Sequence, residues 1–459
     1  MDAAQPRAAL AADLPSIKTP IPGPASRRIF QHEERHLAPG RQRISQLAGV
    51  AFDHGNGATL TDADGNVYLD FFAGVAVASL GHAHPAMTKA LAEQAGRLTV
   101  GTFATAQRAE AFELLTAAAP APLRRVHLYS GGAEAVEAAL RLARSATKKH
   151  EVLSFWGGFH GKTGGVLGMV GDESKQGYGP LAAGRYLVPY ADCYRCAFKL
   201  QYPSCGLFCV EFARKQLKHS SAGAVAAVLV EPFQGTAGNL IPPDDYLPAL
   251  AELAREQDAI LIADEMITGF GRTGRMWGVE HSGVAPEIMT VGKGMGSGFP
   301  VSGVLMSQRL SHAEPFAKPS ASSSSYGGNP LAAVAVSQTL KTIADEHLVE
   351  NSRRVGTLLL SRLEQFKEKF TFVGDVRGRG LLLGIDLVRD RATKTPLSRR
   401  FTELIFTEAL KRGLVLMGYF PRIRINPPLV ISEAQAVAGA AILEEVFTLL
   451  RDKHDWRQE

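Results

Sequence analysis

Between about residues 125 and 310, short apolar runs alternate with stretches in which apolar residues recur every three or four positions. The runs are RRVHLYS, EVLSF, AVAAVLVEP, AILIADE and EIMTVGK, and the helix-periodic stretches include AEAVEAALRLARSA and YLPALAELAREQ. A strand apolar on both faces needs cover on both, so this alternation predicts an α/β fold with a mostly parallel sheet wrapped by helices. Upstream, ATLTDADGNVYLDFFAGVAVASLGHAHPAM begins with alternating residues broken at Asp64-Gly65, which predicts a hairpin feeding a buried segment. Downstream of the Ser-rich loop KPSASSSSYGGNP, a helical pattern runs from Leu331 to about Ile343. It leads into RGRGLLLGIDLV, GLVLMGYF and the amphipathic EAQAVAGAAILEEVFTLL. We expect a large domain over residues 63–335 and a smaller α+β C-terminal domain over 336–459. Residues 1–62 should form an N-terminal arm and part of the smaller domain.

At 459 residues the chain exceeds the size at which a single core stops growing, which agrees with two domains. No apolar run approaches the roughly 20 residues of a membrane span, so a soluble protein is expected. The start, MDAAQPRAALAADLPSIKTPIPGPASRR, carries Asp2 where a signal peptide would be basic and has no long apolar core. It reads as a mobile arm of a cytoplasmic protein. The net charge of +5 is spread along the chain, and the densest basic run, RDRATKTPLSRR, lacks aromatics and holds a proline. That is a solvated face, not a nucleic-acid site.

In open parallel sheets, ligands bind outside the carboxyl ends of the strands. After VHLYS come Gly131, Gly132 and a helix start, whose free N–H groups and dipole suit a phosphate, though any strand–helix turn looks similar. AILIAD ends in Asp264, an acid that needs a cation or strong donors there; a helix cap or salt bridge is the plainer explanation. EIMTVGK ends in Lys293 before the glycine-rich GMGSGFP, where an unencumbered amine could form a Schiff base; a surface lysine is the plainer explanation. Together the three match the phosphate, ring nitrogen and aldehyde of pyridoxal 5'-phosphate (PLP), and Phe159-His160 after EVLSF offers a flat face at the same edge.

The series DADGNVYLDFFAGVAVASLGHAHP, SGGAEAVEAALRLAR, GFHGKTGG, EPFQGTAGN, ADEMITGFGRTGRMW, VGKGMGSGFP, SYGGNPLAA and RINPPLVIS, in that order, resembles the class III aminotransferases among the fold-type I PLP enzymes. The resemblance implies a large domain with a mostly parallel seven-stranded sheet. It implies that Lys293 binds the cofactor, that Asp264 meets its pyridinium nitrogen, and that Gly131 and Gly132 hold its phosphate. Phe159 would stack on the ring with His160 beside it, and Met266 would pack behind. Ser325 stands where the family usually has a threonine that reaches the neighbouring subunit's phosphate, so a homodimer, or a tetramer, is expected.

Arg424 in RINPP matches the substrate-carboxylate arginine, with a structural ion pair as its alternative. Relatives acting on 4-aminobutyrate or ornithine pair that arginine with a glutamate where this chain has Thr236, and carry a glutamine where it has Ile267. Val75 and Val77 fall at the substrate mouth, although core packing explains them equally well. The resemblance therefore implies ping-pong transfer of an amino group from an amine or ω-amino acid to a 2-oxo acid such as pyruvate or 2-oxoglutarate. GDVRGRGLLLGIDLVRDRATKTP looks most like the dialkylglycine decarboxylase branch, which keeps decarboxylation, racemisation or elimination as the alternative. That branch has a glutamine at Val75, so its absence favours transamination. The glycines of GRGLLLG have the wrong spacing for a dinucleotide loop.

All four cysteines, Cys193, Cys196, Cys205 and Cys209, lie within residues 190–220, which reads as an insertion in the large domain. C-x2-C-x8-C-x3-C permits a tetrahedral metal site, although the loop is shorter than in common zinc ribbons. Reduced thiols packed as small apolar groups, or a redox-sensitive disulfide, explain the residues as well. No catalytic metal is expected, and a metal-stabilised interaction protein is the third functional reading.

Overall fold

The computed structural model describes residues 14–418 and 420–457. The five apolar runs form strands Leu123–Tyr129, Glu151–Phe155, Val225–Val230, Ile260–Asp264 and Ile288–Val291 of a seven-stranded sheet, completed by Arg185–Val188 and Ser302–Ser307. Across the sheet the order is Leu123–Tyr129, Ser302–Ser307, Ile288–Val291, Ile260–Asp264, Val225–Val230, Glu151–Phe155, Arg185–Val188. Ser302–Ser307 runs antiparallel to both its neighbours, and every other pairing is parallel. The expected mostly parallel α/β sheet is thus present.

Successive side chains of each strand face opposite sides of the sheet. Ile260, Ile262 and Leu229 pack with Val136, Ala139, Leu140 and Ala143 of helix Gly132–Thr147 on one side. Leu261, Ala263 and Val228 join Leu250 and Leu253 of helix Tyr246–Glu256 on the other. Each buried Val, Leu and Ile among them contributes about 1.5–3 kcal/mol, which fixes the register of the strands and hence the positions of their polar ends.

A second sheet sets Val373–Arg379, Leu382–Asp390 and Thr395–Pro396 side by side, with Arg422–Ile425 against the free edge of Leu382–Asp390. GRGLLLG is the turn between its first two strands. The third sheet joins distant parts of the chain: Thr59–Asp62 and Val67–Asp70 form the expected hairpin, and Leu414–Val415 adds parallel to Val67–Asp70.

The N-terminal reading needs correction. Residues 1–13 lie outside the described residues, but from Ser16 the segment expected to be mobile is tied down. Ser16 exchanges two backbone hydrogen bonds with Val67, and Asn66 Oδ1 accepts from the Lys18 and Thr19 amides at 2.8 and 2.9 Å. The hairpin supplies partners that composition alone could not reveal. Among the described residues no helix is long and apolar enough to cross a membrane.

Candidate active site

Because all strands but one run the same way, their carboxyl ends meet at one edge, and the antiparallel Ser302–Ser307 starts there. Asp264, the last residue of its strand and 1% exposed, lies in register beside Thr290. Its Oδ1 accepts from Thr290 Oγ1 at 2.9 Å and from the Met266 amide at 3.2 Å. Its Oδ2 stands 2.7 Å from His160 Nδ1. Burial opposes a charge on His160, but the hydrogen bond and charge of Asp264, helped by Glu231, hold its pKa above the ordinary value. The imidazole is thus held against Asp264, which favours its protonated form.

Two residues beyond Ile288–Val291 stands Lys293, in the left-handed backbone region at φ +45°. A non-glycine residue there stores about 1–3 kcal/mol of strain, which persists only where the surroundings enforce it. Burial lowers the pKa of its amine; Asp264 and Glu231 oppose that shift, and the charge of Arg424 adds to it. A larger neutral fraction makes the amine a better nucleophile.

Between Lys293 and the first turn of helix Gly132–Thr147 lies Met266. A Cβ on Gly132 would come 3.2 Å from its sulfur, and one on Gly292 2.6 Å. A side chain at either glycine would push Met266 out of this position. The Gly131 amide, expected to hold phosphate, is instead donated to Glu134 Oε2 at 2.7 Å, because Glu134 folds back to cap its own helix. Ser302 Oγ donates to the Gly131 carbonyl at 2.7 Å. The first-turn amides of Gly132 and Ala133 have no intrahelical acceptor and point outward from the helix start.

Phe159 reaches the same edge, half-buried, its amide donating to Glu231 Oε1 at 3.0 Å. Glu231 Oε2 accepts from the Gly235 amide at 3.0 Å. Burial, and then the nearby charge of Asp264, raise the Glu231 pKa, while His160 and the two amides oppose them. Glu231 and Thr290 were missed by sequence reasoning. The signal for Glu231 was present, since VLVEP also ends an apolar strand in an acid.

Arg424 lies buried on Arg422–Ile425, opposite Gly384, close enough for its charge to act on Lys293. Thr236 is exposed on the loop after Val225–Val230. Val75 sits in a left-handed turn, with φ of 47°, 62°, 69° and 60° from Ala73 to Ala76, and packs against the cluster of Tyr68, Phe406 and Met417. Ile267 packs with Ala76, Phe233 and Leu382. Ser325 is exposed on the wall of an open cavity of about 710 Å³, shared with Val100, Thr102 and Arg108. The four cysteines are free thiols around a cavity of about 20 Å³. Burial pushes Cys193 and Cys209 up to about 11. Among the described residues no three His, Cys, Asp or Glu side chains stand where they could hold a metal ion.

The profile of the family Aminotransferase class-III matches residues 42–447. The chain belongs to this family. Acetylornithine aminotransferase of Methanothermobacter thermautotrophicus is 37% identical over 402 residues, 87% of this chain and 94% of that protein. Leucine/methionine racemase of Thermococcus litoralis is 32% identical over 90% of this chain and 93% of its own length. The solved amine transaminase from an uncultivated Pseudomonas species, in a PLP-bound form, superposes with a TM-score of 0.84 at 30% identity, covering 90% of this chain and 98% of that one.

This class III aminotransferase is a fold-type I enzyme that uses pyridoxal 5'-phosphate for transamination of amino and oxo substrates. Its residues fit the cofactor: an amine with a lowered pKa, a carboxylate held by three polar partners, and glycines at which an added Cβ would crowd Met266. Bound there, PLP supplies an aldehyde for amine capture and a ring that draws electron density from the substrate carbon.

Proposed function

We propose that the enzyme transfers the amino group of an apolar amine or ω-amino acid to a 2-oxo acid, pyruvate or 2-oxoglutarate, in two half-reactions. In this reading Lys293 carries the cofactor and Asp264 keeps a proton on its ring nitrogen. Gly132, with Gly131 once Glu134 releases its amide, forms the phosphate end, with Phe159 on the ring face and Met266 behind. Lys293 Nζ would take up the proton that the substrate carbon gives up and hold it for return. Arg424 holds the substrate carboxylate through its planar fork. The cluster of Ala76, Phe233, Ile267 and Leu382 carries the donor preference: two residues beyond Glu231 and three beyond Asp264, the chain presents apolar groups, and Thr236 brings no carboxylate toward Arg424.

Apolar primary amines, ornithine, N-acetylornithine, 4-aminobutyrate, alanine and glutamate, each with pyruvate and with 2-oxoglutarate, form the deciding panel. Faster turnover of the apolar amines is expected, and ornithine or its acetyl derivative as the fastest donor would overturn the preference. Arg424→Ala should raise KM for carboxylate-bearing donors about 10- to 100-fold, as expected for a charged hydrogen-bonded contact of about 1.5–3 kcal/mol. Because the Arg424 charge lowers the Lys293 pKa, the variant's apoprotein should need a higher pH to take up cofactor, readable from its absorbance.

The two named racemases among the similar proteins favour racemisation as a second reading, with 32% and 30% identity. Incubation with L-alanine separates them: a transaminase leaves pyruvate and aminated cofactor, a racemase D-alanine alone. Exposed Phe103 (84%) and Tyr326 (72%), near the cavity that holds Ser325, support a homodimer in which Ser325 serves the neighbouring copy. Free cysteines support a reducing compartment such as the cytoplasm.

A further inference from the structure

The cysteine-bearing segment leaves the central sheet after Arg185–Val188 and reaches across to the sheet that carries Arg424. Its tip is the turn Cys193-Tyr194-Arg195-Cys196, closed by Asp192 Oδ1, which accepts the Arg195 amide at 3.1 Å. Beneath the turn the thiols share their small cavity with Tyr190, Phe198 and Phe208, and the Phe198 and Phe208 rings meet edge to face at 5.0 Å. This apolar bed fixes the turn and leaves the polar side chains of Asp192 and Arg195 facing the second sheet.

There they meet one buried acid. Asp386, 1% exposed, receives Arg195 Nε at 3.0 Å and Nη2 at 2.5 Å on Oδ1, while Arg422 Nε stands 3.1 Å and Arg377 Nη2 3.7 Å from Oδ2. Arg422 Nη2 in turn donates to Asp192 Oδ2 at 2.8 Å. Arg195 also donates to the Lys394 carbonyl, and Lys394 Nζ reaches the Tyr194 carbonyl at 2.5 Å. Arg195, Asp386, Arg422 and Asp192 thus form a chain of three ion pairs, closed by the Arg195 backbone amide, that spans the two sheets. A buried acid that shares several cations has few alternative arrangements, because losing any partner exposes an uncompensated charge.

Arg422 and Arg424 lie two apart on one strand, so they share a face. Their cross-strand partners are Asp386 and Gly384, and a Cβ on Gly384 would collide with the Gly238 carbonyl oxygen, so the loop carrying Thr236 packs directly on that strand. Arg422 further donates to the Ala237 carbonyl at 2.7 Å, and Arg377 to the Gly238 and Asn239 carbonyls at 2.7 and 3.1 Å, which holds the loop carrying Thr236 to the same network. The strand carrying Arg424 and the loop carrying Thr236 are therefore both tied to Asp386, through Arg422 and Arg377.

We propose that Arg195, presented by the cysteine turn, is a positioning residue for substrate-carboxylate recognition: through Asp386 and Arg422 it sets the strand that aims Arg424. The proposal rests on the reading of Arg424 given above. In this role the cysteines are the packed base of an arm that braces the substrate arginine.

The test uses holoenzyme half-reactions, followed by loss of the cofactor's visible band on mixing with a donor. Two donors are compared, alanine and an apolar primary amine without a carboxylate. For Arg195→Ala, the half-saturating alanine concentration should rise at least fivefold while the amine stays within twofold of wild type, and Arg195→Lys should recover part of the loss. A purely structural role would weaken both donors together, and that result, or no change with either, overturns the proposal. Asp192→Asn, which removes only the Arg422 pair, carries the same comparison if Arg195→Ala does not fold. Arg424→Ala is run beside them. If it weakens alanine and neither Arg195→Ala nor Asp192→Asn does, the positioning role alone fails; if it leaves alanine unchanged, the carboxylate reading of Arg424 fails as well.

Discussion

Replacement of Lys293 by alanine should abolish turnover, by at least about 10⁴-fold, and remove the visible absorbance of lysine-bound cofactor in the same variant. The size follows from the number of tasks given to one atom. In the reading proposed above, Nζ is both the nucleophile that holds the cofactor and the base that moves the substrate proton, and its charge acts on His160 beside Asp264. Burial and Arg424 lower its pKa, so the neutral form grows as pH rises through a value below that of a free lysine. Cofactor uptake by wild-type apoprotein should follow that same rise. Absorbance scans and single-turnover rates on purified variant check both halves, and a variant that keeps either the band or the turnover would remove Lys293 from its assigned role.

Lys293 and Asp264 were legible because a polar residue that ends an apolar strand is costly unless something answers it. The answering groups were not. Thr290 looked like one more β-branched residue inside a buried strand, and it is a donor to Asp264 only because two strands run parallel in register. The Gly131 amide was assigned to phosphate by motif, yet Glu134 three positions on folds back to take it, a helix-start contact that competes with any anion there.

The five long apolar runs announced five strands, whereas the other two were silent for local reasons. Arg185–Val188 is a four-residue edge strand with mostly half-exposed positions, and Ser302–Ser307 follows a glycine-rich loop that hides its start. The hairpin at Asp64-Gly65 showed in its alternation, but its parallel partner Leu414–Val415 lies more than 300 residues away in sequence. The ring of Asp192, Arg195, Asp386 and Arg422 had no sequence signal for the same reason: its partners are 191 and 230 positions apart. Spacing carries what neighbours along the chain do, and long-range charge pairing is outside its reach.

Asp264→Asn should lower kcat by about 10²–10³-fold, the usual cost of removing one preorganised electrostatic contact from a reacting centre, while the cofactor still binds through Lys293. The substitution keeps the size of the side chain and removes its charge. An asparagine oxygen at the Oδ1 position still accepts from Thr290 and from the Met266 amide, so its NH2 group faces His160 Nδ1. Two donors then confront each other unless the imidazole gives up that proton. Since Asp264 is the chief group that holds the His160 pKa above its ordinary value, the variant's imidazole should lose its proton at a lower pH than wild type, visible in a histidine NMR titration. In the proposed reading the ring nitrogen would lose the carboxylate assigned to keep it protonated, and the electron sink would weaken where the substrate carbon gives up its proton. The kinetic consequence is specific: kcat should fall in both half-reactions, with a larger isotope effect from a deuterated substrate carbon, while the KM for 2-oxo acid, which the proposed reading assigns to Arg424, should change little. A drop confined to KM would mean that Asp264 shapes the pocket and does not act through its charge.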